Sequence, residues 1–403
     1  MRKGWEIKRL GDVCLKITDG SHNPPKGIEI SEYLMLSSRD IYDEQIHYNN
    51  PRFLSKKDFE NEDKRTAIKA KDVLLTIVGT IGRVAVVPNI YPKFTLQRSV
   101  AVLRPNINEI DPYFLKFLLQ NSLNFLISES RGAAQKGIYL NQLKQIQISL
   151  PLLSEQREIV SILDDAFESI ERAKSNAEEN LKNAKELFES YLNNIFQFKG
   201  EGWEEKRLVE VCELKSGTTI DAKLEKNSGD IIYAKIGDMN LEGNEVYITK
   251  SSRYVSLENI KQNQIIPLGS IIFPKRGGAI ATNKKRRIIK PTIVDLNTMA
   301  LVPYKFINSD YLFHWFKQIN LIKLSNGTSI PQINNYSFDN VFITYPTSLS
   351  KQKEIVDKLD TLLAETNKLE SIYQQKLNDL EELKKSILQK AFNGELKTSK
   401  KSA

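Results

Sequence analysis

Residues 4–14 read GWEIKRLGDVC, and residues 202–212 read GWEEKRLVEVC. Eight of these eleven positions are identical at an offset of 198 residues. Further along the chain the offset becomes 196, where residues 155–164 (EQREIVSILD) match residues 351–360 (KQKEIVDKLD). The chain is therefore predicted to contain two copies of one unit of about 200 residues, because self-similarity at a fixed offset indicates a repeated architecture.

The composition is that of a folded protein with a positive balance of charge. The chain has 403 residues, 40% of them hydrophobic, so each copy is long enough to bury its own core. Its 58 basic and 50 acidic residues give a formal net charge of +8. This excess favours a polyanionic partner such as nucleic acid. Many basic proteins bind no nucleic acid, so charge alone leaves that question open.

The two cysteines, Cys14 and Cys212, occupy equivalent places in the two copies. Each is expected in its own domain, which argues against a disulfide and for two small apolar residues in a reducing compartment. The N-terminal sequence MRKGWEIKRL lacks the apolar segment of a signal peptide. No apolar run is long enough to span a membrane. A cytoplasmic location without membrane contact is expected.

Each copy is predicted to begin with an α+β part of about 150 residues, rich in short β-type runs bounded by glycine or proline. Residues 72–79 (DVLLTIVG) and 231–236 (IIYAKI) are examples. A helix is predicted near residues 111–126, with Asp111 as its N-cap and Pro112 in its first turn.

A long helix is predicted to close each copy. Apolar or small residues recur at steps of three and four from Ile159 to Ile195 and from Ile355 to Ala391, the pattern of a coiled-coil seam. In the first copy this seam includes Ile162, Ala166 and Tyr191. Two matching stripes in one chain favour intramolecular, antiparallel pairing. A homodimeric coiled coil, or packing of each helix on its own domain, are the alternatives.

The predicted fold class is α+β, with two pseudo-repeated α+β domains separated by two long helices that form an antiparallel coiled coil. The predicted boundaries follow from the repeat and the helical pattern. They are a first domain at 1–152, a central helix at 153–199, a second domain at 200–349, a C-terminal helix at 350–394 and a tail at 395–403.

Sequence patterns for catalysis are weak. Residues 22–26 (HNPPK) resemble the NPP[YF] tetrad of amino-methyltransferases, but Lys26 takes the aromatic place and no glycine-rich cofactor loop precedes it. No phosphate-binding loop and no Cys/His spacing suited to zinc are found. Glu204 and Lys206 form an E-x-K pair, which is better explained as surface charge because the first copy repeats it. We therefore predict no catalytic residue, no metal site and no cofactor.

Three pairs of polar loops instead suggest nucleic-acid contacts. Glycine allows close approach to a phosphate, basic groups neutralise it, and Gln or Ser can hydrogen-bond base edges. The alternative is that these loops are solvated turns. The candidate DNA-binding residues are Lys26, Arg83, Arg131, Gln135 and Lys136 in the first copy, and Lys275, Arg276, Lys284, Arg286, Ser329 and Gln332 in the second. Since the copies agree in framework and differ in these loops, two different sequences should be read.

These features resemble one family over the whole chain, the specificity subunit of type I restriction-modification systems. The resemblance rests on the GWE-KRL openings, on residues 151–164 (PLLSEQREIVSILD) and on residues 377–396 (LNDLEELKKSILQKAFNGEL). The segments IVGTIG and NGTSIPQIN are also similar to pieces of the family. The second helix entry departs from the pattern, because Lys351 replaces the glutamate before Gln352.

The resemblance implies that each domain is a target-recognition domain reading one half of a bipartite, asymmetric double-stranded DNA site. It implies that the helices set the gap and dock two methyltransferase subunits, which methylate adenine, and that restriction-translocase subunits join the complex. The chain itself would be a non-catalytic specificity subunit. Competing interpretations are a subunit serving methylation alone, a coiled-coil scaffold with two protein-binding domains, and an enzyme acting alone.

Overall fold

The computed structural model describes residues 4–128, 130, 137–197, 200–327 and 330–396. Packing divides the chain into two compact units. The first unit comprises Met1–Glu178 and Gln374–Ala403, and the second comprises Glu179–Tyr373. Each unit therefore combines one globular part with one end of both long helices.

The globular part of the first unit mixes short strands and helices. Its strands are β1 (Glu6–Arg9), β2 (Cys14–Asp19), β3 (Leu34–Leu36), β4 (Ile41–Tyr42), β5 (Gln45–Ile46), β6 (Arg52–Phe53), β7 (Val73–Thr76), β8 (Val84–Val86), β9 (Phe94–Leu96), β10 (Val100–Pro105) and β11 (Gln147–Leu150). Its helices are α1 (Lys56–Thr66), α2 (Pro112–Asn121), α3 (Leu123–Ser128) and α4 (Leu140–Gln145).

A four-stranded antiparallel sheet in the order β2-β10-β7-β8 forms the centre of this part. A second sheet, β6-β3-β9, pairs β3 with β9 in parallel, and β1 pairs with β11. Alternation along the central strands divides their side chains between two cores. Leu75 and Leu103 pack on the α2 side, whereas Leu74 and Val102 pack against the second sheet.

The predicted helix near residue 111 is present as α2. The Asp111 carboxylate accepts from the backbone N–H groups of Tyr113 and Phe114 at 2.9 and 3.2 Å, which confirms the predicted N-cap. The helix is interrupted at Ser122 before α3 begins, and both the hydroxyl and the backbone N–H of Ser122 donate to the Leu118 carbonyl, at 2.9 and 3.0 Å.

The second unit repeats this plan after the long helix α5 (Leu153–Gln197). Its strands are β12 (Trp203–Arg207), β13 (Cys212–Ser216), β14 (Ile231–Ala234), β15 (Tyr247–Ile248), β16 (Tyr254–Val255), β17 (Ile271–Pro274), β18 (Arg286–Ile288), β19 (Thr292–Val294), β20 (Thr298–Pro303) and β21 (Phe342–Pro346). Its helices are α6 (Leu208–Val211), α7 (Ser309–Lys317) and α8 (Leu321–Leu324), and the long helix α9 (Leu349–Phe392) follows.

The central sheet of the second unit runs β13-β20-β17-β18-β15, and the second sheet runs β16-β14-β19. Ile271 and Leu301 pack towards α7, whereas Ile272 and Ala300 pack towards β14 and β19. The same alternation therefore builds the same two cores in both copies, as the repeat predicts.

The two long helices are antiparallel within each unit. In the first unit Lys174 lies 2.8 Å from Glu381, and Glu171 lies 3.4 Å from Lys384. In the second unit Lys185 lies 3.8 Å from Glu370. The residue numbers of each pair add to the same value, so one antiparallel register holds in both units. The predicted antiparallel pairing is confirmed.

The predicted seam is wrong in detail at the ends of α5. Leu163 is fully buried where Ile162 and Ala166 were expected, and Leu192 is buried where Tyr191 was expected. These ends pack into the cores of the globular parts as well as against α9, and this rotates the buried face by one residue.

Both cysteines are free, as predicted. Cys212 is buried and Cys14 is half-buried. Burial raises the pKa of each thiol to about 12, so neither is a reactive thiolate at neutral pH. Within the described part of the chain, no helix is long and apolar enough to cross a membrane.

Candidate nucleic-acid interface

In the first unit the loop after β2 crosses the end of β9 at very short range. A Cβ atom on Gly20 would lie 2.0 Å from the Leu96 carbonyl oxygen, so any other residue would force the backbone to move. The Ser21 N–H donates to that carbonyl at 2.7 Å, and the Arg98 N–H donates to the Ser21 carbonyl at 2.9 Å. The loop is thus held beside the turn between β9 and β10.

This turn borders two adjoining depressions of about 460 and 530 Å³, which together we call the first concave surface. His22, Val78 and Arg98 line both depressions, Arg39 lines one and Arg65 lines the other. Much of the remaining lining is polar and consists of Asp19, Ser21, Ser37, Ser38, Gln97, Ser99 and Asn141. Such a mixture of guanidinium, hydroxyl and amide groups can bind phosphates and base edges.

A nearly buried carboxylate, that of Asp19, organises part of this surface. The Arg65 guanidinium pairs with it and also donates from Nε to the Asp19 carbonyl at 3.0 Å. The His22 Nε2 lies 2.9 Å from the other carboxylate oxygen. Asp19 therefore holds the side chains of His22 and Arg65 in place, although both residues are exposed, as Arg39 and Arg98 are.

The second unit repeats the close approach with different side chains. A Cβ atom on Gly217 would lie 2.0 Å from the Asp295 carbonyl oxygen, and the Thr218 N–H donates to Val294 at 2.8 Å. The chain leaving β17 then meets the loop after α8. There the Ile333 N–H donates to the Lys275 carbonyl at 2.8 Å, as the Ile138 N–H donates to Ile77 at 2.9 Å in the first unit.

This junction brings Lys275, Arg276 and Gln332 together in what we call the second loop cluster. Arg276 and Gln332 form an isolated antiparallel bridge, and the Gln332 amide donates to the Asn334 side chain at 2.9 Å. The Lys275 ammonium donates to the Ser216 hydroxyl at 3.0 Å. Three predicted DNA contacts therefore share one site, which brings together the end of β13 and the segments after β17 and after α8.

The electrostatics of the cluster are set by partial burial. Desolvation lowers the pKa of Lys275, and the Asp295 carboxylate opposes that shift. Arg276 is exposed. The cluster thus combines a half-buried, oriented ammonium with an exposed guanidinium.

Lys284 and Arg286 have partners elsewhere in the second unit. The Lys284 ammonium bonds to the Asn240 side chain, and the Arg286 guanidinium donates to the Met239 carbonyl at 2.9 Å. Burial lowers the pKa of Arg286, which the Glu245 carboxylate opposes. Lys285 between them is buried, with its pKa lowered by burial to about 8. Lys284, Lys285 and Arg286 therefore each have a hydrogen-bond partner within the second unit.

The other predicted contacts fall in several places. Lys26 is exposed on the loop that Arg52 braces through the Pro25 carbonyl at 2.9 Å. Arg83 donates to the Ile41 carbonyl at 3.3 Å and lines a different cleft of the first unit, beside Lys116. Arg131, Gln135, Lys136 and Ser329 lie outside the described residues.

Arg39, Arg65 and Arg98 line the first concave surface but are not among the predicted contacts, which all lie in the predicted polar loops. Arg39 follows β3 and Arg98 follows β9, and these strands are parallel neighbours. The Ser38 N–H donates to the Ser99 hydroxyl at 3.0 Å, across 61 residues of sequence. Only that long-range pairing brings the two arginines to one surface, and no local signal predicts it.

Across the described ranges, no group of three or more His, Cys, Asp or Glu side chains is arranged to hold a metal ion. Cationic, hydroxyl and amide groups are present on both surfaces.

Comparison with known proteins places the repeat in a family. The model of the type I restriction modification DNA specificity domain matches twice, over residues 2–180 and 200–382. The EcoBI specificity subunit of Escherichia coli is 32% identical over 190 residues, which is 46% of this chain and 38% of that subunit. The putative MjaX specificity subunit of Methanocaldococcus jannaschii is 24% identical over 428 aligned residues, covering 98% of this chain and 94% of that one.

Solved structures show the same fold. A chain from a structure describing the assembly and conformational transition of a type I R-M system aligns with a TM-score of 0.76 at 21% identity, over 98% of this chain and 99% of that one. The HsdS subunit from Thermoanaerobacter tengcongensis aligns with a TM-score of 0.63 at 20% identity, over 98% of both chains. The predicted fold class, two repeated α+β domains with two long helices, is confirmed.

Proposed function

The chain belongs to the type I restriction-modification DNA specificity family, and we propose that each of its two units reads one half of a bipartite, asymmetric double-stranded DNA site. DNA specificity, not catalysis, is the role of this family. The two units of this chain would divide that role between them.

One observation carries the proposal: equivalent positions on the same framework carry different side chains. Val78 and Gly137 form a bridge in the first unit, where Arg276 and Gln332 form it in the second. Arginine and glutamine can make paired hydrogen bonds to base edges, whereas valine and glycine cannot do so with their side chains. Two surfaces of different chemistry on one scaffold suit two half-sites of different sequence.

In the first unit the cationic side chains lie at positions that are not equivalent to Arg276 and Gln332. Arg39 and Arg98 border the first concave surface, and Gln97 and Ser99 flank Arg98 in the lining. The phosphate contacts of such cations would position the unit on the duplex, and the amide and hydroxyl groups would contribute sequence selection.

The long helices would set the gap between the half-sites. α5 has 45 residues and α9 has 44, so each spans about 65 Å at 1.5 Å per residue. The antiparallel helix pair would then act as the spacer, and recognition surfaces on one duplex are commonly separated by about one helical turn or a multiple of it.

The partners proposed from the family are two methyltransferase subunits, docked along the helices and domains, and restriction-translocase subunits in the full complex. The assembled complex would methylate adenine at N6 in each half-site and cleave unmodified DNA. All of the catalytic groups would reside in those partners.

Methylation mapping tests this function. DNA from a host carrying the chain and its neighbouring methyltransferase gene is sequenced for N6-methyladenine, and a host lacking the chain is the control. We expect a methylated motif with two defined half-sites and a fixed gap. No new methylation, with both proteins expressed, would contradict the proposal and favour a scaffold role.

A further inference from the structure

One exposed aromatic ring borders the first concave surface. Tyr139 is 63% exposed and lines the depression that also contains His22 and Arg98. Its backbone is fixed, because its N–H donates to the Gln142 side chain at 3.0 Å and its carbonyl accepts the Gln142 N–H at 2.9 Å. The preceding residue, Ile138, is buried in the core. The ring therefore projects from a rigid base next to cationic groups.

A second exposed ring lies at the corresponding turn of the second unit. Tyr336 is 62% exposed. Its hydroxyl accepts hydrogen bonds from the side-chain amides of Asn326 and Asn334 at 2.8 and 2.9 Å. Asn334 in turn accepts from Gln332, which is bridged to Arg276. The ring is thus part of the second loop cluster.

The two rings follow structurally equivalent residues. Ile138 and Ile333 make the same backbone hydrogen bond to the chain leaving the central sheet, at 2.9 and 2.8 Å. Tyr139 is one residue beyond that anchor and Tyr336 is three residues beyond it. A single exposed tyrosine on a surface needs no explanation. Here an anchored ring lies at the same turn of both copies, beside Arg98 in the first unit and linked to Arg276 through Asn334 and Gln332 in the second, which indicates a shared task.

Nucleobases are the ligands that suit such rings. Aromatic side chains beside cations stack on bases in proteins that bind unpaired nucleic acid. In a duplex the face of a base becomes accessible only when the stack opens, for example by a wedge or by flipping of a neighbouring nucleotide. Methylation of adenine requires such flipping, so each half-site would present one opened stack during the reaction.

We propose that Tyr139 and Tyr336 are stacking residues, each placing its ring against a base that loses its neighbour when the adenine of that half-site is flipped. This inference rests on the proposed function, because it requires a bipartite methylated site. It assigns a base-stacking site to each unit in addition to the polar groups that read base edges.

The test uses the full chain assembled with its methyltransferase subunits. The probe is a duplex bearing the motif found by methylation mapping, with 2-aminopurine replacing the target adenine of one half-site or the other. Binding and the rise in 2-aminopurine fluorescence on flipping are measured. We expect Tyr139→Ala to weaken binding about tenfold, the equivalent of one lost stacking contact, and to abolish the fluorescence rise at one half-site. Tyr336→Ala should do the same at the other half-site.

Two kinds of control separate stacking from other effects. Tyr139→Phe keeps the ring and its backbone anchor, and it should bind and flip within about twofold of the wild type. Tyr113→Ala and Tyr304→Ala remove similarly exposed tyrosines, 45% and 43% exposed, which lie outside both surfaces, and they should have no effect.

Alanine variants that bind and flip like the wild type would overturn the stacking role and leave the proposed function intact. A Tyr139→Phe variant as weak as Tyr139→Ala would also overturn it, because the hydroxyl and not the ring would then matter. A wild-type complex with no preference for the motif would instead refute the proposed function, and this inference with it.

Discussion

The side-chain oxygen of Gln156 accepts a hydrogen bond from the backbone N–H of Asp111 at 2.8 Å. The side-chain nitrogen of the same glutamine donates to the carbonyls of Glu109 and Pro151, both at 2.9 Å. Gln156 is fully buried. One amide therefore ties the first turn of α5 to the start of α2 and to the segment leaving β11.

Gln352 makes the same three bonds in the second unit. Its oxygen accepts from the Asn308 N–H at 2.7 Å, and its nitrogen donates to Phe306 and Pro346 at 3.1 and 2.8 Å. This explains why glutamine recurs at the two helix entries. The departure at Lys351 leaves these three bonds intact, because the Lys351 side chain is exposed and pairs with Glu354.

Replacing Gln156 or Gln352 by leucine should therefore destabilise the protein. Each change leaves one buried N–H and two carbonyls without their partner, and we expect a loss of about 3 kcal/mol in the free energy of unfolding. Urea unfolding followed by tryptophan fluorescence measures it. Gln374→Leu, at an exposed position of α9, is the control and should change stability by less than about 0.5 kcal/mol. Equal stability of all three variants would show that the buried amides are dispensable.

The hairpin between β4 and β5 carries the half-buried carboxylate of Glu44. Asp43 and Glu44 both have positive φ, 48° and 60°, an unfavourable conformation for non-glycine residues. The Glu44 carboxylate lies 2.5 Å from the Lys116 ammonium and 3.0 Å from that of Lys384. Burial alone would raise the pKa of Glu44, but the two ammonium groups hold it below its usual value.

Because its folded pKa is lowered, ionised Glu44 stabilises the fold above its unfolded pKa of about 4.5, and this stabilisation is lost as pH falls through the folded pKa. We expect Glu44→Gln to reduce the free energy of unfolding by about 1 to 2 kcal/mol at pH 7. The difference from the wild type should shrink when unfolding is measured below pH 4.5. A difference that is constant between pH 7 and pH 3 would exclude the ionic explanation.

The second loop cluster gives a test of DNA contact. Lys275→Ala with Arg276→Ala removes two cations, and we expect about tenfold weaker binding and a decrease of about 1 to 2 in the slope of log affinity against log salt. Fluorescence anisotropy at several salt concentrations measures both. Lys261→Ala, at an exposed site outside the cluster, is the control. Unchanged affinity and slope in the double variant would remove this loop from the interface.

The repeat, the α+β class, the long helices and the Asp111 cap could be predicted because each leaves a local or periodic signal. The buried face at the ends of α5 could not, because Leu163 and Leu192 are selected by the cores they enter. The heptad pattern of α5 predicts only the face that contacts α9, and not the face that packs into the globular parts.

The candidate interface was less predictable for the same reason. Lys284 and Arg286 are as basic in sequence as Arg276, and only tertiary contacts show that they are bonded to Asn240 and Met239 whereas Arg276 is exposed. Arg98 lies in the three-residue connection between β9 and β10, which contains no glycine, and no local pattern in the sequence singles it out. A basic residue in a loop is a candidate DNA contact, but its hydrogen bonds within the chain determine whether its charge is available to DNA.

The helix register allows the spacer hypothesis to be tested without breaking the helix pair. In the second unit Lys185 faces Glu370, so residues 182–188 of α5 oppose residues 367–373 of α9. Deleting both segments removes two turns from each helix and preserves the register. The spacer should shorten by about 10 Å, the length of about three base pairs.

We expect methylation mapping of this matched deletion to show both half-sites unchanged and the gap between them reduced by up to about three base pairs. Deletion of residues 182–188 alone is the comparison, and it should destabilise the protein because the apolar stripe of α9 loses its partner. The spacer hypothesis predicts that only the gap responds to the matched deletion. An unchanged gap in a stable, methylating variant would show that the separation of the half-sites is set by something other than helix length.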